Sequence, residues 1–165
     1  MVATSETFKE GMRRLGGAVN IVTAANGDLW SGLTATAVCS LSAEPPRLLA
    51  CINRVGATYD VLSHGRNICV NVLSSQHQEL AMRFAGMGGL AETERFEADR
   101  WTLGLTGAPK LDDALVNFDC EIESILDSGS HGVVIGRIID ITVNKVAAAD
   151  PLIYIDGQFA TTSGL

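Results

Sequence analysis

The sequence lacks several features that would assign it at once to a familiar class of protein. Its longest apolar runs span only a few residues, far short of the roughly 20 that a membrane-spanning helix needs. Basic residues are scarce, with 12 Lys and Arg against 19 Asp and Glu, and this balance excludes a general nucleic-acid-binding surface. There is no CxxC pair, no Asn-x-Ser/Thr sequon and no apolar signal core near the N-terminus. We therefore expect a cytoplasmic protein without a membrane segment.

The length of 165 residues and the 47% apolar fraction predict one domain, residues 1–165, with a sizeable core and no extensive disorder. Four cysteines, Cys39, Cys51, Cys69 and Cys120, lie in apolar or alternating runs and are expected to be reduced core residues. The net charge of −7 is unevenly spread, since residues 1–110 are neutral and residues 111–165 carry all of it. An anionic ligand is therefore expected on the first two-thirds of the chain.

Short segments with strand-like patterning dominate the chain. The predicted strands cover residues 18–24, 28–40, 47–53, 67–73, 115–126, 132–143 and 152–155. The predicted helices cover a first segment capped by Ser5, then residues 57–63 and 75–84. Asn26 and Gly27 predict a hairpin between the first two strands. Because no βαβ alternation is present, we expect a mainly β, antiparallel barrel with short helices packed outside it.

Three finer expectations concern packing. Gly32 interrupts a predicted strand, which indicates a bulge or the close approach of a flat group. Residues 48–52 are continuously apolar, so their strand is expected to be buried on both faces. Residues 116–123 alternate in polarity, which predicts a solvent-exposed face containing Asp119, Glu121 and Glu123.

Some kinds of chemistry are disfavoured by the motifs that are missing. His64, His77 and His131 have neither metal-ligand spacing nor a cysteine nearby in sequence, so no metal site is expected. A hydrolase triad stays open from spacing alone, although no G-x-S-x-G elbow is present. Residues 86–91 fit G-x-G-x-x-A but follow a helical stretch, which favours a loop over a dinucleotide fingerprint.

Two polar segments could contact a phosphate or the polar edge of a ring. Thr34 and Thr36 place two hydroxyls on one strand face after Gly32, although threonine also occurs in strands for its β propensity alone. Residues 53–58 end a buried strand and begin a helix, an arrangement that suits either an anion site or a plain capping loop. Ser75 and Gln76 repeat this pattern more weakly at the next helix.

The order of these segments resembles the flavin reductase family, the small reductase component of two-component flavin-dependent monooxygenases. The matching segments are residues 17–23, 32–37, 40–42, 45–46, 71–73 with Gln76, 84–86, 95–96, 107–109, His131, 136–137 and 151–154. They span nearly the whole chain in family order. The resemblance implies a split β-barrel with antiparallel Greek-key topology, built as a homodimer with flavin near the interface. It also implies direct hydride transfer from NADH or NADPH to FMN or FAD, with reduced flavin passing to a partner monooxygenase.

The resemblance also implies a set of site residues. The flavin-binding positions are Leu33, Thr34, Ala35, Thr36, Cys51, Ile52, Asn53, Gly56, Ala57, Thr58, Ser75, Gln76 and Phe159. Residues 33–36 and 51–53 are expected beside the isoalloxazine, residues 56–58 at the ribityl phosphate with Ser75 and Gln76, and Phe159 over the ring. His131 is expected near the nicotinamide as an orienting or proton-supplying group; the alternative is a turn histidine that begins a strand.

The chain departs from the family pattern at two places. Ser130 stands where members often carry Asp, so a carboxylate does not orient His131 from that position. Val38 and Cys39 stand where an aromatic is frequent, which favours weak retention of flavin as a substrate. Two other functions stay open: a flavin-dependent reductase of a metal complex such as a cobalt corrinoid, and a non-catalytic flavin- or haem-binding split barrel.

Overall fold

The computed structural model describes residues 2–145 and 150–163. The α-helices are α1 (Ser5–Arg13), α2 (Ala57–Gly65) and α3 (Gln78–Phe84), with 3-10 helices at Ser75–His77 and Glu92–Arg95. The strands are β1 (Gly17–Ala18), β2 (Asn20–Asn26), β3 (Leu29–Ala35), β4 (Val38–Ala43), β5 (Pro46–Asn53), β6 (Asn67–Val72), β7 (Trp101–Leu103), β8 (Pro109–Leu111), β9 (Val116–Ser128), β10 (His131–Val143), β11 (Ile153–Ile155) and β12 (Gln158–Ala160). No helix among these described residues is both long and apolar enough to cross a membrane.

Seven strands form one antiparallel sheet in the order β3-β2-β6-β9-β10-β5-β4. Its two edge strands, β3 and β4, are consecutive in the chain and are joined by Thr36 and Ala37. Leu33 on one edge and Val38 on the other pack against the same hydrophobic cluster, so the sheet curls back on itself. The result is an antiparallel Greek-key barrel split between β3 and β4, which confirms the predicted split β-barrel.

Two hydrophobic clusters stabilise the fold. The barrel core, inside the curled sheet, contains Val22, Ala24, Leu48, Ala50, Ile52, Val61, Leu62, Ile68, Val70, Cys120, Ile122 and Val134. The outer core contains Val19, Ile21, Leu73, Leu80, Ala81, Phe84, Trp101, Leu111, Ala114 and Leu152. Because successive side chains of a strand alternate between faces, neighbouring residues Ile21 and Val22 of β2 enter different cores.

The hairpin between β2 and β3 forms where it was predicted. Asn26 pairs with Leu29, and Gly27 takes a positive φ of 60° in the two-residue turn between them. The expected interruption at Gly32 is wrong, because β3 continues through it to Ala35. A Cβ at Gly32 would lie 2.9 Å from a ring carbon of Phe84, so the flat group that approaches this glycine is a core aromatic ring.

Several burial expectations are corrected by the structure. Asp119 is buried because the β7–β8 hairpin region covers it, with the backbone N–H of Thr106 donating to its carboxylate at 3.0 Å. Glu121 and Glu123 are exposed as predicted. Strand β5 is buried only on its barrel-core face, since Leu49 and Cys51 on the other face are half-buried.

Two further expectations also change. Of the four free cysteines, Cys69 and Cys120 are buried, whereas Cys39 is exposed and Cys51 is half-buried. Helix α1 is capped by Thr4 rather than Ser5, through a reciprocal capping box with Thr7.

Candidate active site

A cavity of about 370 Å³ lies beside the end of β3, on the outer-core side. Four sequence-predicted residues line it, namely Thr34, Ala35, Thr36 and Phe159. The other lining residues are Val19, Met82, Ala85, Met87, Tyr154, Gly157 and Gln158. The ring of Phe159 meets that of Tyr154 edge-on, with 5.4 Å between centroids. The structure therefore brings two distant segments, residues 34–36 and 157–159, to one apolar cavity.

The two threonine hydroxyls do not form a common polar face. Thr34 Oγ1 donates to the backbone carbonyl of Ala81 in α3 at 2.6 Å, so this hydroxyl is already used within the protein. Leu33 points the other way and packs against the barrel core. The polar groups that β3 can offer a ligand belong to its backbone, because the outward row of N–H and C=O groups on an edge strand has no neighbouring strand.

The far side of the split is formed by the end of β5. The backbone N–H of Cys51 donates to the carbonyl of Ala37 at 2.9 Å, which holds β5 against the connection between β3 and β4. Ile52 is fully buried in the barrel core, so its side chain is structural and does not line an open cavity. Asn53 is exposed and pairs in register with His131 of β10.

His131 is exposed at the first position of β10. Its Nδ1 lies 2.8 Å from Ser130 Oγ, so a hydroxyl stands where the family often has a carboxylate. The imidazole is therefore open to a ligand and oriented by a neutral group.

The segment expected at a phosphate combines an uncapped helix start with a buried threonine. Gly56 is the N-cap residue of α2 and has no side chain to cap the free backbone N–H groups. Thr58 is buried, and its Oγ1 lies 2.8 Å from Ser31 Oγ, which links α2 to β3. The guanidinium of Arg54 is paired with the carboxylate of Asp127 at 2.6 Å and does not turn toward Gly56.

Ser75 and Gln76 lie at a different part of the sheet. The backbone N–H of Ser75 donates to the carbonyl of Asp150 at 2.8 Å, and Gln76 is exposed. The strand before them ends at Val72, which pairs with Asn20 at the start of β2. Thr58 instead contacts Ser31, opposite Ala24 and further along β2. Residues 75–76 and Thr58 are thus separated by about four residues along β2, roughly 13 Å.

The structure answers the question of a hydrolase triad. Ser74 Oγ lies 3.1 Å from Nδ1 of His77, and Nε2 of His77 lies 3.2 Å from Asp113 Oδ2. Ser74 and His77 are 3% and 5% exposed, so no substrate carbonyl reaches the serine. The backbone N–H of Ser74 also donates to Nδ1, which makes His77 part of a capping arrangement.

Sequence reasoning missed several residues of this region. Met82 and Met87 line the cavity, and Glu92 reaches Ser31 from the 3-10 helix. The three-residue spacing of Met82 and Ala85, which places both on one side of α3, was the available sequence signal for Met82. Within the described part of the chain, no group of three or more His, Cys, Asp or Glu residues could hold a metal ion.

An antiparallel barrel with one open edge and an adjoining cavity is the architecture of a small ligand-binding barrel. The family model of the flavin reductase like domain matches residues 12–163, and the chain belongs to this family.

Three relatives show how close the similarity is. The FMN reductase (NADH) RutF of Cronobacter turicensis is 41% identical over 143 residues, 87% of this chain and 85% of the relative. A proposed flavin reductase of Haemophilus somnus has a crystal structure with a TM-score of 0.90 and 38% identity, covering 97% of this chain and 100% of the other. BorF, the flavin reductase component of a bacterial two-component tryptophan halogenase, has a TM-score of 0.88 and 27% identity, covering 98% and 100%.

Proposed function

We propose that this protein is a cytoplasmic NADH-dependent flavin reductase that reduces FMN or FAD and releases it to a partner monooxygenase. The observation that carries the proposal is the split between β3 and β4, where the free edge of β3 stands beside a cavity lined by Thr36 and Phe159. Its similarity to an FMN reductase (NADH) supports the choice of substrates. Its similarity to BorF, a component of a two-component system, supports release to a separate enzyme.

The residues at the split fit a planar heterocycle. The outward N–H and C=O groups of Thr34 and the N–H of Thr36 can pair with donors and acceptors along one edge of an isoalloxazine, whereas the carbonyl of Thr36 already accepts from the N–H of Val38. The small side chain of Ala35 leaves room for a flat ring in this cavity, and Phe159 can cover it. The uncapped N–H groups after Gly56 can donate to an anion.

Bound flavin supplies N5 as the acceptor of a hydride from C4 of the nicotinamide, so the chain need not provide a nucleophile or a metal. The protein contributes binding and orientation, which raise the effective concentration of the two rings. His131, exposed at the end of β10, orients the nicotinamide and can supply the proton that balances the transferred hydride.

We further propose that one domain, residues 1–165, forms a homodimer through the outer face of β5, β9 and β10. Side chains of Leu49, Val133 and Ile135 are half-buried there, and Leu126 is 56% exposed. Ion pairs of Arg47 with Glu123 and of Arg137 with Glu121 border this apolar band. An apolar centre with a charged rim is typical of a protein–protein interface. Light scattering should give twice the 17.4 kDa mass of the chain.

Steady-state turnover tests the proposal. Purified protein is mixed with NADH or NADPH and excess FMN, FAD or riboflavin, and oxidation of the pyridine nucleotide is followed. The expected result is turnover that rises with added flavin and is faster with NADH. Tight flavin binding without turnover would support a non-catalytic binding protein instead. Anaerobic reduction of a cobalt corrinoid, faster than that of free flavin, would support a metal-complex reductase.

A further inference from the structure

A carboxylate is hydrogen-bonded into the segment where we propose that the flavin phosphate binds. Ser31 Oγ donates a hydrogen bond to Glu92 Oε2 at 2.6 Å. Ser31 Oγ also lies 2.8 Å from Thr58 Oγ1. Ser31 and Thr58 are each 2% exposed, so this chain of contacts is held inside the protein. Glu92 itself is half-buried, at the start of the 3-10 helix Glu92–Arg95.

The direction of these hydrogen bonds follows from the chemistry of the groups. An ionised carboxylate only accepts, so the single proton of Ser31 must be donated to Glu92. Thr58 must then donate its own proton to Ser31 Oγ, because that oxygen has no second proton to give. The hydroxyl of Thr58 is left with acceptor lone pairs alone. Thr58, which is buried, therefore has no free proton for any further partner.

Among residues 2–145 and 150–163 Glu92 forms no ion pair, although the guanidinium of Arg95 on the same 3-10 helix lies nearby, 3.5 Å from the carbonyl of Gly32. Glu97 on the same segment, in contrast, pairs with Arg83 at 2.5 Å and Arg100 at 3.0 Å. Glu94 is used differently, since its carboxylate accepts from the backbone N–H of Ala91. Within the described chain, Glu92 is therefore a carboxylate without an ion pair, linked through Ser31 to the start of α2, where we propose that the anionic group binds.

The segment that carries Glu92 is bounded by unusual backbone conformations. Gly86, Gly88 and Gly89 precede it with positive φ values of 82°, 103° and 70°, and Asp99 follows it with φ 71°. Between them, Phe96 anchors the segment by edge-on contacts with Phe84 and Trp30. The position of Glu92 is thus fixed by packing as well as by its bond to Ser31.

We propose that Glu92 is a specificity-determining residue that disfavours the terminal phosphate of the flavin. This inference rests on the proposed flavin-reductase function and on binding of the phosphate near Gly56 and Thr58. Like charges repel, so a phosphorylated flavin binds less tightly than the ring contacts alone would allow. Weak binding of the phosphate suits a protein whose reduced flavin must leave.

The variant Glu92→Gln tests this role with little change of shape. A glutamine amide can keep a hydrogen bond with Ser31 while it removes the negative charge. Glu94→Gln is the matched control on the same 3-10 helix. Dissociation constants for FMN and for riboflavin, which lacks the phosphate, are measured by flavin fluorescence, and folding is checked by thermal melting.

The expected result is FMN binding about fivefold to tenfold tighter in Glu92→Gln, with riboflavin affinity unchanged within about twofold. Glu94→Gln should leave both affinities unchanged. Equal effects on the two flavins, or no effect, would overturn the role of Glu92. Failure of the wild-type protein to bind either flavin would instead overturn the proposed function, and this inference with it.

Salt dependence gives a second test that needs no variant. Salt screens the repulsion between like charges. The wild-type protein should therefore bind FMN more tightly, relative to riboflavin, as salt rises from about 20 mM to 500 mM. This range changes the Debye length by about threefold or more. If the ratio of the FMN affinity to the riboflavin affinity stays constant or falls as salt rises, repulsion by Glu92 is contradicted.

Discussion

His131 and Asn53 stand opposite each other as a register pair of β10 and β5, at the end of the barrel beside the split. The backbone N–H of Arg54, the next residue, donates to the carbonyl of Ser130 at 3.0 Å, so the two strand ends are joined on both sides of this pair. The imidazole is therefore exposed on a fixed backbone.

The variant His131→Ala tests the proposed contact with the nicotinamide. Loss of one hydrogen bond of about 1 kcal/mol should raise the KM for NADH about fivefold, while the KM for flavin changes less than twofold. Ser130→Ala, which removes only the neighbour of Nδ1, should have a smaller effect. Steady-state kinetics with each substrate varied in turn provides the measurement. An unchanged KM for NADH would remove His131 from the site.

Substitution of Gly32 tests the contact with the outer core. The new Cβ in Gly32→Ala would lie 2.9 Å from Phe84 and 3.1 Å from Thr23, so the free energy of unfolding should fall by about 1–3 kcal/mol. Gly11→Ala in α1 is the control, since nothing lies within 4 Å of its Cβ position. Urea denaturation compares the two. Equal stability of both variants would show that Phe84 can move aside.

The buried carboxylate of Asp119 should contribute far more to the free energy of unfolding than an exposed carboxylate does. Its two oxygens accept from the backbone N–H and the hydroxyl of Thr106, and asparagine can replace only one of these acceptors. Asp119→Asn should therefore lower the free energy of unfolding by about 2 kcal/mol. Glu121→Gln, at the exposed ion pair with Arg137, should change it by less than about 1 kcal/mol. Equal losses in the two variants would contradict this assignment.

The four thiols should differ widely in reactivity. Burial, aided by the charge of Asp119, raises the pKa of Cys120 to about 12, and burial raises the pKa of Cys69 well above its ordinary value. Neither forms appreciable thiolate at pH 8, so only exposed Cys39 and, more slowly, half-buried Cys51 should react with Ellman's reagent. Unfolding in urea should bring the count to four. Rapid reaction of all four thiols in the folded protein would contradict the burial of Cys69 and Cys120.

Acid should weaken the ion pairs of Glu97. Hydrogen bonds from Arg83 and then Arg100 lower the pKa of Glu97 from its ordinary value of 4.5. The resulting stabilisation is complete above pH 4.5 and is lost as pH falls through the lower pKa of the folded state. Because this side chain is 39% exposed, Glu97→Gln should cost only about 0.5–1 kcal/mol near pH 7. Urea titrations from pH 7 downward should show the two proteins converging; a constant gap would exclude this cause.

Local patterns predicted much of the barrel. The hairpin at Asn26 and Gly27 follows from two adjacent residues that favour a turn, and the order of strands along the chain follows from alternation within short segments. Burial was less predictable where it depends on distant segments. Asp119 follows the alternating pattern of a solvent-exposed face, but residues 101–111 return to cover it.

The candidate site was predicted as a set of segments rather than as a set of contacts. Residues 34–36 and Phe159 do line one cavity. The hydroxyls of Thr34 and Thr58, however, bond to Ala81 and Ser31, partners that no sequence spacing reveals. Glu92 directly follows the loop predicted for residues 86–91, and its relation to Ser31 depends on how residues 86–99 cross the edge of the barrel.

Strand β2 belongs to both cores, with Ile21 in one and Val22 in the other. The backbone of β2 positions side chains in both clusters, so displacement of this strand disrupts the packing of both. Heating should therefore melt the protein cooperatively, in a single calorimetric transition. One shared strand thus makes the barrel and the layer that carries the cavity a single thermodynamic unit.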